Sequence, residues 1–202
     1  MQVDFRDLPG REAYRWLAAT ITPRPIAWIS TRSRHGVDNL APISFFNVIC
    51  DAPPTFVVAV TPRADGSPKD TLRNAQDTGE LVLQLPSRAL AEAMNASSAS
   101  LPPETSEFER FGIASQACEL MSVRRVAGAP VAFECKVAQI MQYPAHKPSR
   151  HLIFAEALLA HYDEAVLADA RHVDPHRLDT VGRLGGNNYT TTRDIFSMIR
   201  PD

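Results

Sequence analysis

Apolar and polar positions fall in short blocks along the chain, and most of these blocks have the length and residue types of strands. Ile26, Ala27, Trp28 and Ile29 form an apolar run short enough to be a buried strand, entered through Pro23 and Pro25, which deny a helix there. Arg34-His35-Gly36 is a turn signal. A second extended run covers residues 40–49, and the β-branched stretch at 55–61 (TFVVAVT) predicts another buried strand. Residues 80–85 (ELVLQL) alternate. Residues 131–143 alternate further: Val131, Phe133, Cys135 and Val137 share one face and Glu134 and Lys136 the other, which predicts a long strand with one wet face. A turn at 144–148 and a returning antiparallel strand at 151–159 complete the strand set.

Helical spacing is confined to short stretches between these strands. Tyr14, Leu17 and Ala18 recur at helical intervals after Pro9-Gly10. Ser67-Pro68-Lys69-Asp70-Thr71 reads as a helix start, with Ser67 at the N-cap, Pro68 in the first helical position and Asp70 three residues on. Residues 87–96 predict a helix capped by Ser87, and Ser106 with Glu109 has capping-box spacing after a Ser/Pro loop at 97–105. No repeat or linker divides the chain, so residues 1–202 are expected to form one mainly β domain.

Composition narrows the function classes. The chain is 45% hydrophobic and 22% charged, ordinary for a chain that buries a core. A formal charge of −2 argues against nucleic acid as a partner. Apolar runs such as 56–60 are too short to cross a bilayer, and the first residues lack a signal-peptide block, so a cytoplasmic location without membrane contact is the expectation. Cys50, Cys118 and Cys135 are odd in number and show no ligand spacing, which points to free thiols and no metal site.

The candidate chemistry starts in residues 22–54. Strand pairing across the Arg34-His35-Gly36 turn would bring Ser30, Thr31, Asn39, Ser44 and Asn47 together beside Phe45 and Phe46, a set suited to a planar ligand with polar edges. The helix start near Lys69, Asp70 and Thr71 offers unpaired N–H groups, a positive charge and a hydroxyl to an anion. His151 stands at a strand start after a polar turn, where it is either a structural hydrogen-bonder or a group at a site mouth. Gly185-Gly186 permits a tight turn that presents Asn187, Asn188 and Tyr189, though it matches no phosphate-loop motif.

The stretches RPIAWIST, NLAPISFFN, KDT at 69–71, AMNASSA at 93–99, SEFERFG at 106–112, RHLIFAEAL at 150–158 and RLGGNNY at 183–189 closely resemble the flavin reductase-like, FMN-binding split-barrel family. The resemblance implies a six-stranded, Greek-key-like antiparallel split barrel with peripheral helices. It also implies a homodimer with FMN at or near its interface, and hydride transfer from NADH or NADPH to flavin, then to free flavin or another small-molecule acceptor. It further implies that Ser30, Thr31, Ser44, Phe45, Phe46 and Asn47 hold the isoalloxazine, that Arg24, Lys69 and Thr71 lie in the phosphate region, and that Asn39 and Asp70 also belong to the cofactor site. Tyr189 would cap a flavin edge, and His151 would face the nicotinamide. A flavin binder without turnover and a haem-binding split barrel remain as alternatives.

Overall fold

The structure, a computed structural model, describes residues 1–146 and 149–201. The helices are α1 (Gly10–Thr20), α2 (Asp70–Thr78), α3 (Ala91–Ala96), α4 (Glu107–Arg110) and α5 (Pro175–Leu178). The strands are β1 (Arg24–Pro25), β2 (Ala27–Arg32), β3 (Asp38–Ile43), β4 (Phe46–Asp51), β5 (Pro54–Val60), β6 (Glu80–Leu85), β7 (Ser115–Gln116), β8 (Arg125–Val126), β9 (Val131–Tyr143), β10 (Arg150–Tyr162), β11 (Val181–Arg183) and β12 (Tyr189–Thr191). Among the described residues no helix is long and apolar enough to cross a membrane.

Seven strands form one antiparallel sheet in the order β3-β2-β6-β9-β10-β5-β4. The order itself dictates the shape. β3 and β4 occupy opposite edges, yet only Ser44 and Phe45 separate them in sequence. In a flat sheet those edges would lie about 29 Å apart, six spacings of about 4.8 Å, far beyond a two-residue link. The sheet therefore curls until its edges nearly meet. No ladder joins β3 to β4, so the barrel stays split there; the link is held instead by the Ala59 amide, which donates to the Phe45 carbonyl at 2.8 Å. The single run expected at 40–49 is thus two strands, and the barrel has seven strands rather than six.

Three apolar clusters fill the structure. The barrel interior takes inward residues such as Ile29, Val58, Leu83, Cys135 and Ile153. A second cluster lies outside β2 and β3, where Trp28 and Leu40 meet Met94 of α3, Phe108 of α4, Ile113 and Val126. A third packs Val82, Val123 and Ala132 beneath Cys118 and Met121. This third layer corrects the wet face expected for β9: Glu134 is fully buried. Its carboxylate accepts from the amides of Glu119 (2.8 Å), Leu120 (2.7 Å) and Met121 (3.1 Å) and lies 2.6 Å from Nε2 of His161. Glu134 is one of several side chains that tie the excursion between α4 and β9 to the barrel: Glu80 accepts from the amide (3.0 Å) and hydroxyl (2.8 Å) of Ser122, and Gln84 accepts from the Val126 amide. β9 and β10 together form a long hairpin with bulges at 154/155 and 157/159. The turn expected at 144–148 includes residues 147 and 148, which lie outside the described residues.

Three caps differ from expectation. Ser87 makes no side-chain capping bond, and the helix expected over 87–96 is a 3-10 turn at Arg88–Leu90 followed by α3. α2 begins at Asp70 with Lys69 as its N-cap, because Ser67 is drawn into a turn with Asp65, donating to Oδ1 through both its amide (2.9 Å) and its hydroxyl (2.6 Å). Ser106 precedes α4, but its hydroxyl makes no capping bond. A small sheet, β1-β11-β12, closes one end of the barrel. Gly185 in the turn after β11 lies so close to α1 that a Cβ would stand 3.1 Å from Ala19, and Gly186 takes φ +60 in the same turn.

Candidate functional site

Where the barrel is split, the β3–β4 link, the end of β5, the loop before α2 and the segment after α3 surround a cavity of about 710 Å³. That lies within the roughly 300–1,000 Å³ of ordinary small-molecule sites. Ala41, Pro42, Ile43, Phe45 and Val60 supply apolar wall; Asn39, Ser44, Thr71 and the serines at 97, 98 and 100 supply amides and hydroxyls. The first turn of α2 opens on the same space. Its unpaired N–H groups and positive dipole end favour an anion.

The charges around the cavity are unequally committed. Asp70 is paired with both Arg63 and Arg73. Glu107 is buried, with Oε2 accepting from the Leu40 amide at 2.8 Å; burial pushes its carboxyl above the ordinary range despite that bond. Lys69 and Arg150 take part in none of the ion pairs among the described residues. Beneath the cavity floor, Asn39 Nδ2 donates to Thr71 Oγ1 (3.2 Å) and Thr31 Oγ1 (3.4 Å), and Asn74 Nδ2 reaches Thr31 at 3.2 Å. Asn74 Oδ1 and Ser106 Oγ are buried without hydrogen-bond partners among the described residues.

Of the residues singled out from the sequence, Asn39, Ser44, Phe45, Lys69, Asp70 and Thr71 line this cavity. The others lie elsewhere, each for a local reason. Ser30 is fully buried and donates to the Arg124 carbonyl at 2.6 Å; Thr31 stands behind Asn39. Phe46 points into the barrel against Phe56, with ring centroids 5.9 Å apart, and Asn47 is exposed on edge strand β4. Arg24 is buried and donates to the carbonyls of Ala18 (2.5 Å), Ile21 (2.8 Å) and Leu184 (3.1 Å), clamping the C-terminal end of α1, while its Nε reaches the hydroxyl of cavity-lining Ser44 at 3.4 Å. Tyr189 carries Arg183 on its ring at 4.4 Å and lines a separate recess beside α3.

His151 does not line the cavity, but its ladder partner Val60 does. The histidine shares the inward row of β10 with Ile153, and its Nδ1 is buried without a hydrogen-bond partner among the described residues. Residues not anticipated include Arg63, Glu107, Arg150 and the serines after α3. Arg150 precedes His151 directly, and strand alternation alone would have sent the two to opposite faces. The three cysteines are free, and burial, followed by the Glu134 charge, pushes the Cys118 thiol up to about 12, while burial likewise pushes Cys135 up to about 12. Neither is a thiolate nucleophile near neutral pH.

Against known proteins, the family model described as Flavin reductase like domain matches residues 19–169. A protein of Deinococcus radiodurans is 40% identical over 204 residues, spanning 98% of this chain and 88% of its own. Among solved structures, nitrilotriacetate monooxygenase component B from Bacillus cereus superposes with a TM-score of 0.93 at 28% identity, covering 98% of both chains. The Pseudomonas fluorescens 2-nitrobenzoate 2-nitroreductase NbaA reaches 0.89 at 28% identity, covering 100% of this chain and 96% of that one.

Proposed function

Because this chain belongs to the flavin reductase-like, FMN-binding split-barrel family, we propose that it is an FMN-dependent oxidoreductase that draws electrons from NADH or NADPH. The observation that carries this reading is the cavity at the split of the barrel, which joins an unpaired cation and a helix start to apolar wall and neutral polar groups. These donors fit FMN by chemistry. Lys69, Thr71 and the first amides of α2 would hold the phosphate. Asn39, Ser44 and the serines at 97, 98 and 100 would meet hydroxyls and ring edges, and Ala41 to Phe45 would back the planar ring.

When bound, FMN would supply the two-electron centre that takes hydride from reduced nicotinamide and passes electrons to free flavin or another small acceptor. The chain's own work is placement. The Arg63–Asp70–Arg73 group fixes the start of α2, so that Lys69 and Thr71 face the cavity at defined positions. A buried polar atom without a partner costs about 1–3 kcal/mol, and Nδ1 of His151 is such an atom one ladder position from the cavity wall. His151 would act as a positioning residue for the nicotinamide by satisfying that nitrogen against the bound donor.

The assay is oxidation of NADH and NADPH by the FMN-supplemented protein with free flavin as acceptor. Turnover that depends on the protein supports the reductase reading. Bound FMN with no nicotinamide oxidation would make the protein a flavin carrier or redox sensor instead.

A further inference from the structure

Phe45 lies at the β3–β4 link with two guanidinium groups near its ring: Arg150 stands 5.0 Å from the ring centroid and Arg24 stands 5.9 Å away. The two cations differ in what else they touch. Arg24 is buried and its donors are taken by three carbonyl oxygens and the Ser44 hydroxyl. Arg150 is half-buried at the cavity rim, bonded to the Thr61 hydroxyl, with no carboxylate partner among the described residues. A guanidinium has five N–H donors in a fixed fork suited to carboxylate or phosphate. Stacking on Phe45 and the bond to Thr61 limit its rotamers while leaving most donors open to the cavity.

Counting anions locates its partner. FMN brings one phosphate, and Lys69, Thr71 and the start of α2 already form a station for it. The acidic lining does not neutralise Arg150: Asp70 belongs to Arg63 and Arg73, Glu107 is turned to the Leu40 amide, and Asp65 accepts from the amide and hydroxyl of Ser67. Resting on the flavin reading above, we propose that Arg150, held on Phe45, is the specificity-determining residue for the second ligand, selecting one that carries an anionic group beside a planar ring. Two sources share that chemistry: the pyrophosphate of a nicotinamide dinucleotide and the carboxylate of an aromatic acid.

The test is titration calorimetry of the wild-type protein, Arg150→Gln and Arg150→Lys, each with and without FMN, using NAD⁺, benzoate and neutral benzamide as probes. In the wild type, NAD⁺ or benzoate should bind about tenfold or more tightly than benzamide, as a charge-assisted fork contact provides. Arg150→Gln should erase that preference, Arg150→Lys should keep part of it, and FMN affinity should stay within about twofold throughout. The preferred anion identifies the source. A wild type that does not distinguish anions from benzamide, or a preference that survives Arg150→Gln, overturns the proposal. So does a tenfold loss of FMN affinity in Arg150→Gln, which would make Arg150 a ligand of the cofactor phosphate. If the wild type binds no FMN yet shows the Arg150-dependent preference, the flavin reading fails while the anion station stands.

Discussion

Lys69 owes its position to a contest between two residues for the same loop. Asp65 captures Ser67, α2 then starts at Asp70, and Lys69 is left as the N-cap, exposed and unpaired beside the cavity. A lysine at a helix start adds a charge-assisted bond worth roughly 1.5–3 kcal/mol to a bound phosphate. Lys69→Ala should therefore weaken FMN by that amount and leave riboflavin, which lacks the phosphate, unchanged; parallel fluorescence titrations read both, and a preserved gap would move the phosphate elsewhere. His151→Ala should retain FMN and slow anaerobic reduction by NADH or NADPH in stopped flow, whereas equal rates would return the histidine to a packing role. Asn39 and Ser44 are legible in the sequence as polar positions in an apolar run beside Phe45, and Lys69 and Thr71 as the charge and hydroxyl at a helix start; all five line the cavity. Ser30 and Phe46 stand in the same run but do not line the cavity. Strand alternation decides which face each occupies, and what covers that face is set by α3, α4 and β9, far away in sequence.

At the level of elements, periodicity located the strands at 26–29, 55–61, 80–85 and 131–143 with small boundary differences, since each is bounded by turn residues. The break at Ser44-Phe45 was hidden because apolar residues continue through it; only the sheet order shows that the chain there passes from one edge to the other. Glu134 was equally hidden, as a charged residue in an alternating strand ordinarily faces water. Burial alone would raise its carboxyl, but the Glu119 amide, His161 and the Leu120 amide outweigh it and hold the carboxyl below its ordinary range. A carboxyl depressed on folding contributes stability above its unfolded value and loses that contribution as pH falls through the folded value. Glu134→Gln leaves too few acceptors for the amides of 119–121, so it should cost about 1–3 kcal/mol in urea unfolding at neutral pH. The variant should also lose less stability than the wild type as the pH is lowered through the acid range. An unchanged midpoint would mean that the apolar layer and the remaining polar ties from Ser30, Arg32, Glu80 and Gln84 hold the excursion after α4 without Glu134.

The whole molecule exposes more large apolar side chains than its barrel requires. Tyr14, Leu17 and Ile21 along and just after α1 are 48%, 47% and 61% exposed, and Val48 and Ile49 protrude from edge strand β4. Tyr14 also lines the cavity and packs on Phe45 with centroids 6.0 Å apart, so this surface runs into the site. A twofold partner seated there would enclose a bound ligand, and a ligand bound only by the dimer must in turn stabilise the dimer. Sedimentation across a dilution series should accordingly show FMN shifting the protein from monomer to dimer; a fully FMN-loaded monomer would rule out a shared site. The central claim, an FMN centre reduced by nicotinamide, is tested most directly by the visible spectrum of the purified, FMN-equilibrated protein before and after anaerobic NADH or NADPH. The expected result is a protein-bound flavin spectrum that bleaches on addition of one or both donors. A Soret band, no bound flavin, or a flavin spectrum that neither donor bleaches would contradict it.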